Sequence, residues 1–417
     1  MSSDSMIVLQ VSVTQQIDEM NNQSNNSFAF SDENDQQFYG LELTRFSEFY
    51  RPIHGYLSLA VCVFGIIANV LNIIVLTRKN MLSATNCILT AMAVSDVCVI
   101  ASYIPFAIHN FIRTETEVEV FYAYGWALFT LFHAHFTVVC HTISIWLTVI
   151  LAFWRYLAIR SPTSSKTWCS MSRAKYAILC AYLFVPISCL PLFLSFTISD
   201  FALEDKPNQT FFKVDFSSIA VQNNELLQKL NFWVFSVLLK LIPCVLLTIL
   251  SLALIRVLVE ANKRKQRLLS SNIALKNNSN LNTNSLVTTS NTSPKNSCEK
   301  TVGRNASQQT SDRTTKMLVA ILIMFLVCEF PSGILALLSG IFGKVFFNNV
   351  YNKFGDLMDM LALINSAVNF VLYCLMSQQF RKTFTKLFCM KNEIEINRHS
   401  YHLAQSVNTN TCNTACV

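Results

Sequence analysis

Seven long apolar stretches separated by polar segments organise the chain between residues 55 and 376. Residues 55–77, 84–108, 126–159, 174–196, 229–259, 312–340 and 353–376 each carry the run of about 20 apolar residues that a helix needs to cross a bilayer. The third and fifth exceed that length, so they are expected to tilt or to project into water. Residues 1–54 are polar and offer no basic, apolar, cleavable leader. They are expected to form a disordered extracellular tail, leaving the first stretch to act as the insertion signal.

Composition supports lipid as the solvent for much of the surface. The 417 residues are 52% hydrophobic and only 14% charged, with 32 Phe, whereas a soluble protein of this size carries about 25% charged residues. Charge then sets the expected orientation. With the N-terminus outside, segments 77–83, 155–175, 256–316 and 377–417 face inward, and they hold 23 of the 32 Lys and Arg but only 5 of the 25 acidic residues. Positive charge marks the cytoplasmic side, so the net charge of +7 follows from topology and does not point to nucleic acid.

Under this topology all 14 cysteines fall in spans or in segments facing the reducing side, and none remains outside for a structural bridge. Those in helices read as small packing residues. The third inner loop, about 262–312, and the Asn/Ser/Thr-rich run at 270–315 cannot bury a core and are expected to be disordered. That run reads either as a phosphorylated segment or as a plain tether. Residues 391–417 form a cytoplasmic tail. Glycosylation sequons fall at Asn22, Asn25 and Asn208 on the outer side, and also at Asn277 and Asn305 on the inner side, where the motif has no meaning.

Ionisable side chains inside a span each cost at least about 2.5 kcal/mol and need a reason. Asp96, Lys240, Glu329 and Asp359 are the charged ones, with His133, His135 and His141 on the third span and the amides Asn69, Asn365 and Asn369. Pro105, Pro186, Pro191, Pro243 and Pro331 mark kinks, where freed backbone groups must find other partners.

In order along the chain, Asn69, Asp96 in AVSD, Arg155 in WRY, Pro243, Pro331 in CEFP, and Asn369 with Tyr373 in NFVLY resemble the landmarks of rhodopsin-like G-protein-coupled receptors. The resemblance covers residues 55–390. It implies an all-α membrane protein, a seven-transmembrane helix bundle with SQQFRKTFTKLFC as an amphipathic eighth helix. Three departures stand out: Trp154 replaces the acid before the arginine, Phe370 the proline after Asn369, and Glu329 the sixth-helix tryptophan. Both cysteines of the family's disulfide are missing together, Thr130 standing at one of the two positions. With HTISIWLTV and WRYLAI, this combination is similar to invertebrate myosuppressin, FMRFamide-like and sex-peptide-type receptors.

The resemblance implies an activation switch at Trp154, Arg155, Tyr156, Asp312, Pro331, Asn369 and Tyr373, and a buried polar network of Asn69, Asp96 and Asn365 with a sodium ion at Asp96. Asp312 is the expected anion for Arg155, with the Trp154 indole as a stacking partner; the other reading is an Arg155 that snorkels into water. Glu329 is expected either to pair internally with Lys240 or His141 or to capture a cationic ligand group. Thr137 stands where amine receptors carry an aspartate. Glu115, Glu117, Glu119, Asp356 and Asp359 crowd the rim beside Tyr103 and other aromatics, which suits a basic peptide ending in phenylalanine. Such a receptor is not an enzyme and needs no cofactor. It would work at the plasma membrane with an extracellular peptide, a heterotrimeric G protein of the inhibitory class, arrestin and membrane lipid, with Cys389 palmitoylated. A receptor for another small ligand and an ion-coupled transporter are the alternatives; the transporter should show an internal repeat, and none is found.

Overall fold

A computed structural model of the chain describes residues 40–388, with breaks at 114–116, 162–167, 204–205, 222–225, 258, 261–262, 264–266, 268–318, 321–322 and 343–345. Seven of its helices are long and apolar enough to cross a membrane: Glu42–Leu76, Ala84–Ile112, Tyr124–Arg160, Met171–Ser195, Val234–Val257, Ile323–Phe342 and Asn349–Leu375. They are called the first to seventh spans below, and they form the expected seven-helix bundle.

The first helix runs from Gly40 to Leu76, so residues 40–54 are helical where a disordered tail was expected. Its early turns carry Phe46, Tyr50 and His54 at four-residue spacing, which stacks them on one face. Their ring centroids are 5.8 Å and 5.5 Å apart, and Phe46 also meets Phe354 at 5.9 Å. Such i,i+4 contacts hold a helix together beyond the apolar run itself. Lower down, the helix is seated tightly on its neighbours. A Cβ on Gly55 would lie 2.6 Å from Phe111 Cβ, and one on Gly65 would lie 2.7 Å from Ile100 Cδ1.

The third span is the central post. Of its most apolar window 72% is buried, against 22% for the fourth span. The fourth accordingly turns Tyr176, Leu183 and Ile187 outward, as a lipid-facing helix must. Two satellite cores flank the post. Cys62, Val99, Ile100, Tyr103, Phe106 and Leu363 pack among the first, second, third and seventh spans. Ile145, Val149, Cys244, Leu247, Leu254 and Phe325 pack among the third, fifth and sixth.

Between the fourth and fifth spans the chain forms an antiparallel hairpin, an addition to the helical bundle. Its strands are β1 (Phe196–Leu203) and β2 (Lys206–Phe216), with Ser199 opposite Lys213 and a register shift between Phe201 and Leu203. FTISDF and TFFKVDF are rich in aromatic and β-branched residues, which fit a half-buried pleated surface. Phe196, Phe211 and Val214 are buried. The hairpin is tied down without a disulfide. Phe212 N–H donates to the Tyr122 carbonyl at 2.9 Å, Tyr122 meets Phe201 edge-on at 5.3 Å, and Lys206 bonds Glu119.

At the opposite end a short helix, Gln378–Phe388, follows the seventh span. Phe380 and Thr383 are buried while Arg381, Lys382 and Lys386 are exposed. Arg381 donates to the carbonyls of Cys374 and Leu375 at 3.0 and 2.6 Å, which satisfies acceptors left open at a helix C-terminus. Phe370, at the position of the missing proline, packs against Phe380 and Phe384, each at 5.9 Å.

Candidate functional site

Three polar clusters interrupt the apolar interior. The deepest joins the third, fifth and sixth spans. Glu329 Oε1 accepts from His141 Nε2 at 2.9 Å, and Oε2 accepts from Lys240 Nζ at 2.8 Å. Lys240 also donates to Ser332 Oγ at 3.1 Å, and Ser332 donates to the Glu329 carbonyl at 3.0 Å. The side chains of His141, Lys240 and Glu329 are at most 4% exposed. Lys240 reaches this point because Val234–Leu241 is wound as a π-helix, a distortion frequent at functional sites. Both internal pairings expected for Glu329 are thus made at once. Thr137, one turn before His141, spends its hydroxyl on the His133 and Ala134 carbonyls.

The second cluster centres on Asp96. Ser144 Oγ donates to its Oδ1 at 3.0 Å and Asn369 Nδ2 to its Oδ2 at 3.3 Å. Asn69 Nδ2 bonds the Gly65 carbonyl at 3.0 Å and the Ser366 carbonyl at 2.8 Å, fastening the first span to the seventh. Asn365 is half-buried one turn before Asn369. A cation beside Asp96 would have its carboxylate and the Ser144 hydroxyl as oxygen donors. Among the described residues, no group of three or more His, Cys, Asp and Glu side chains is arranged to hold a metal ion.

The third cluster lies toward the hairpin end. His54 Nε2 and the Tyr103 hydroxyl share a hydrogen bond of 2.8 Å, and His133 Nδ1 and Ser102 Oγ one of 3.2 Å. Tyr103 is fully buried, inside the packing and not at an open mouth. Asp359 is buried and Asp356 half-buried. Of the glutamate run, Glu115 lies outside the described residues and Glu117 is exposed. Glu119 is engaged by Lys206, whose hydrogen bond holds its carboxyl below the ordinary glutamate range.

Around Arg155 the expected geometry differs. Trp154 is buried in the main core, and Cys169 Sγ reaches its carbonyl at 3.7 Å. The guanidinium stacked on a ring in this stretch is that of Arg160, 6.0 Å from the Tyr156 centroid, because the helix turns Trp154 inward toward the core. Arg155 makes no salt bridge among the described residues, and its Nε is buried without a hydrogen-bond partner. Tyr373 is buried beside the terminal helix, 5.6 Å from Phe380. Pro331 lies within the sixth span, two residues beyond Glu329. Asp312, Asn22, Asn25 and Cys389 lie outside the described residues, whereas Asn208 is exposed on β2. Ten described cysteines are free thiols.

Residue reading missed Ser332, Ser144 and His54. A serine three residues from a buried acid or histidine on the same helix was the available signal for the first two, since that spacing puts both on one face. Histidine four residues after Tyr50 was the signal for the third.

Comparison with known proteins places this geometry. The family model described as "Serpentine type 7TM GPCR chemoreceptor Srw" matches residues 56–293 and 289–391. The chain belongs to this family of seven-transmembrane G-protein-coupled receptors. It is 35% identical to the G-protein coupled receptor dmsr-1 of Caenorhabditis elegans, over 82% of this chain and 69% of that protein. Identity to the sex peptide receptor of Drosophila melanogaster is 25%, over 86% of this chain and 77% of that protein. For the FMRFamide receptor of the same fly it is 23%, over 85% and 57%. This G-protein-coupled receptor is therefore a multi-pass membrane protein, and its family comprises receptors, not enzymes.

Proposed function

We propose that this receptor binds an extracellular neuropeptide, a basic amidated peptide of the FMRFamide-like or myosuppressin-like kind, and activates heterotrimeric G proteins at the plasma membrane. The observation that carries this reading is similarity over more than four-fifths of the chain to proteins named as sex peptide and FMRFamide receptors. The N-terminus and the hairpin end face outside, with Asn22, Asn25 and Asn208 as glycan acceptors. Asp356 and Asp359 draw in the basic group of the peptide, and Tyr103, buried behind that wall, supports it from within. Thr137, His141, Lys240 and Glu329 form the floor. The Glu329 carboxylate already bonds His141 and Lys240, so it lies behind the acids of the rim and meets the peptide after them.

Ligand binding favours one of two helix arrangements. The sixth span hinges at Pro331, and Arg155, Tyr156 and Asp312 meet a G protein of the inhibitory class, then arrestin, while Trp154 anchors that helix end in the core. Asn369 and Tyr373 couple that end to Asp96 and Asn365, and the Asp96 carboxylate with the Ser144 hydroxyl would hold a sodium ion there. Palmitoylated Cys389 and basic side chains hold the terminal segment against lipid.

The test is expression of the full chain with promiscuous G proteins and a screen of amidated Arg-Phe peptides against monoamines. A dose-dependent response to the peptides is expected, lost in Asp359→Asn. A response to a monoamine with none to any peptide overturns the reading.

A further inference from the structure

We infer that Glu329, Lys240, His141 and Ser332 form a latch that holds the third, fifth and sixth spans in the resting arrangement, and that this latch must open before the sixth span can move. The inference goes beyond the ligand reading and stands whatever the ligand is. Four features of the cluster carry it.

The cluster is shared among three helices, one ionic or hydrogen-bonding group from each, with Ser332 adding a second from the sixth span. Every one of these side chains is essentially shut off from solvent. A charge so buried is tolerated only while paired and hydrogen-bonded, so the sixth span cannot drift gradually away from Lys240. The contact is either made or broken, which makes the packing bistable and not elastic.

Local backbone leaves both sides able to move. Lys240 is the penultimate residue of the π-helical segment Val234–Leu241, three residues before Pro243. Glu329 sits two residues before Pro331. Such irregularities are where helices bend. The fifth and sixth spans touch at this level, since a Cβ on Gly333 would lie 3.7 Å from Lys240 Cβ. Any swing of the sixth span about Pro331 therefore changes the Lys240–Glu329 distance directly.

Ser332 is a positioning residue within the latch. Its hydroxyl accepts a hydrogen bond from Lys240 and donates one to the Glu329 carbonyl. It thereby fixes the ammonium against the turn that carries Glu329.

Simple structural glue would lower the amount of folded receptor without changing the state of each molecule. A latch changes the state. The full-length receptor is therefore read in two ways that need no agonist: ligand-free G-protein activation normalised to surface receptor, and the emission of a fluorescent unnatural amino acid at lipid-exposed Ile323 in purified receptor in nanodiscs. The emission readout needs no G protein either, so failure of the peptide reading leaves it intact.

Lys240→Met and Glu329→Gln are each expected to raise normalised basal signalling about tenfold, a one-decade shift of a two-state equilibrium, with a matching emission change. The charge-exchanged pair Lys240→Glu with Glu329→Lys is expected to return part of the way. Ser332→Ala leaves the ion pair in place and is expected to raise basal signalling by a smaller factor, about twofold. If the single charge variants do not reach the membrane, Ser332→Ala decides. Basal signalling and emission both unchanged from the parent, in the charge variants or in Ser332→Ala when it stands alone, overturn the latch.

Discussion

Two lysine–glutamate pairs among the described residues have nearly opposite character. Lys206 and Glu119 join β2 to the short helix Val118–Phe121, with side chains 40% and 39% exposed. Lys240 and Glu329 join the fifth span to the sixth, with side chains 4% and 1% exposed. The chemistry is the same and the surroundings differ. Water and salt screen the first pair, whose neighbours would hold the hairpin without it. Nothing screens the second, which must be complete to be tolerated at all. An ion pair's importance is thus set by what its partners would face if left alone.

The comparison is broken most directly at the buried pair. Lys240→Met, which takes the ammonium from the Glu329 carboxylate and leaves it against His141, should destabilise the receptor by about 3–5 kcal/mol. Thermal unfolding in detergent should record this, and Lys240→Met with Glu329→Met should recover most of the loss. A single variant as stable as the parent would erase the distinction between the two pairs.

A buried carboxylate with neutral donors should fall lower on the scale. Ser144→Ala removes one of the two hydrogen bonds on Asp96 and should cost about 1–3 kcal/mol. Packing at equal depth gives a reference without charge. Gly55→Ala should cost about 1–3 kcal/mol by overpacking, more than Gly65→Ala. The new methyl at Gly55 meets the Phe111 Cβ at 2.6 Å, whereas that at Gly65 meets the tip of Ile100, which can turn aside, and lies a looser 3.2 Å from the Ala367 Cβ. A Gly55→Ala receptor as stable as the parent would contradict the close seating of the first helix.

The exposed pair should give the smallest effect. Glu119→Gln should leave unfolding nearly unchanged at physiological salt. The carboxyl is held below its ordinary range by Lys206, so whatever the pair contributes is present above that range. It is lost as pH falls through the lowered value. Hairpin proteolysis that accelerates on acidification in the parent but not in Glu119→Gln would sharpen the contrast. Acceleration equal in both would remove this pair from any role in holding the hairpin.

The bundle was legible because its signals are local. Long apolar runs and landmark residues in order do not depend on what packs against what. Glu329 stood out for the same reason, as an acid in an apolar run. The hairpin was missed because it lies between two apolar runs whose helical length drew the reading, although FTISDF and TFFKVDF are rich in the aromatic and β-branched residues of strands. The early start at Gly40 was missed because those turns are polar on one side, and their aromatic ladder gains its value from contact with Phe354.

By itself, then, the sequence determined that this chain crosses a membrane seven times and which ionisable groups must be accommodated inside. The physical reason is that hydrophobic length and buried charge are properties of each segment alone. The tertiary structure decided which groups meet. Each residue turns a helix by about 100°, so the π-helical turn before Ile242 determines whether Lys240 faces lipid or the Glu329 carboxylate. It also decided that both His141 and Lys240 bond the same acid, because only the approach of three helices brings one donor to each carboxylate oxygen.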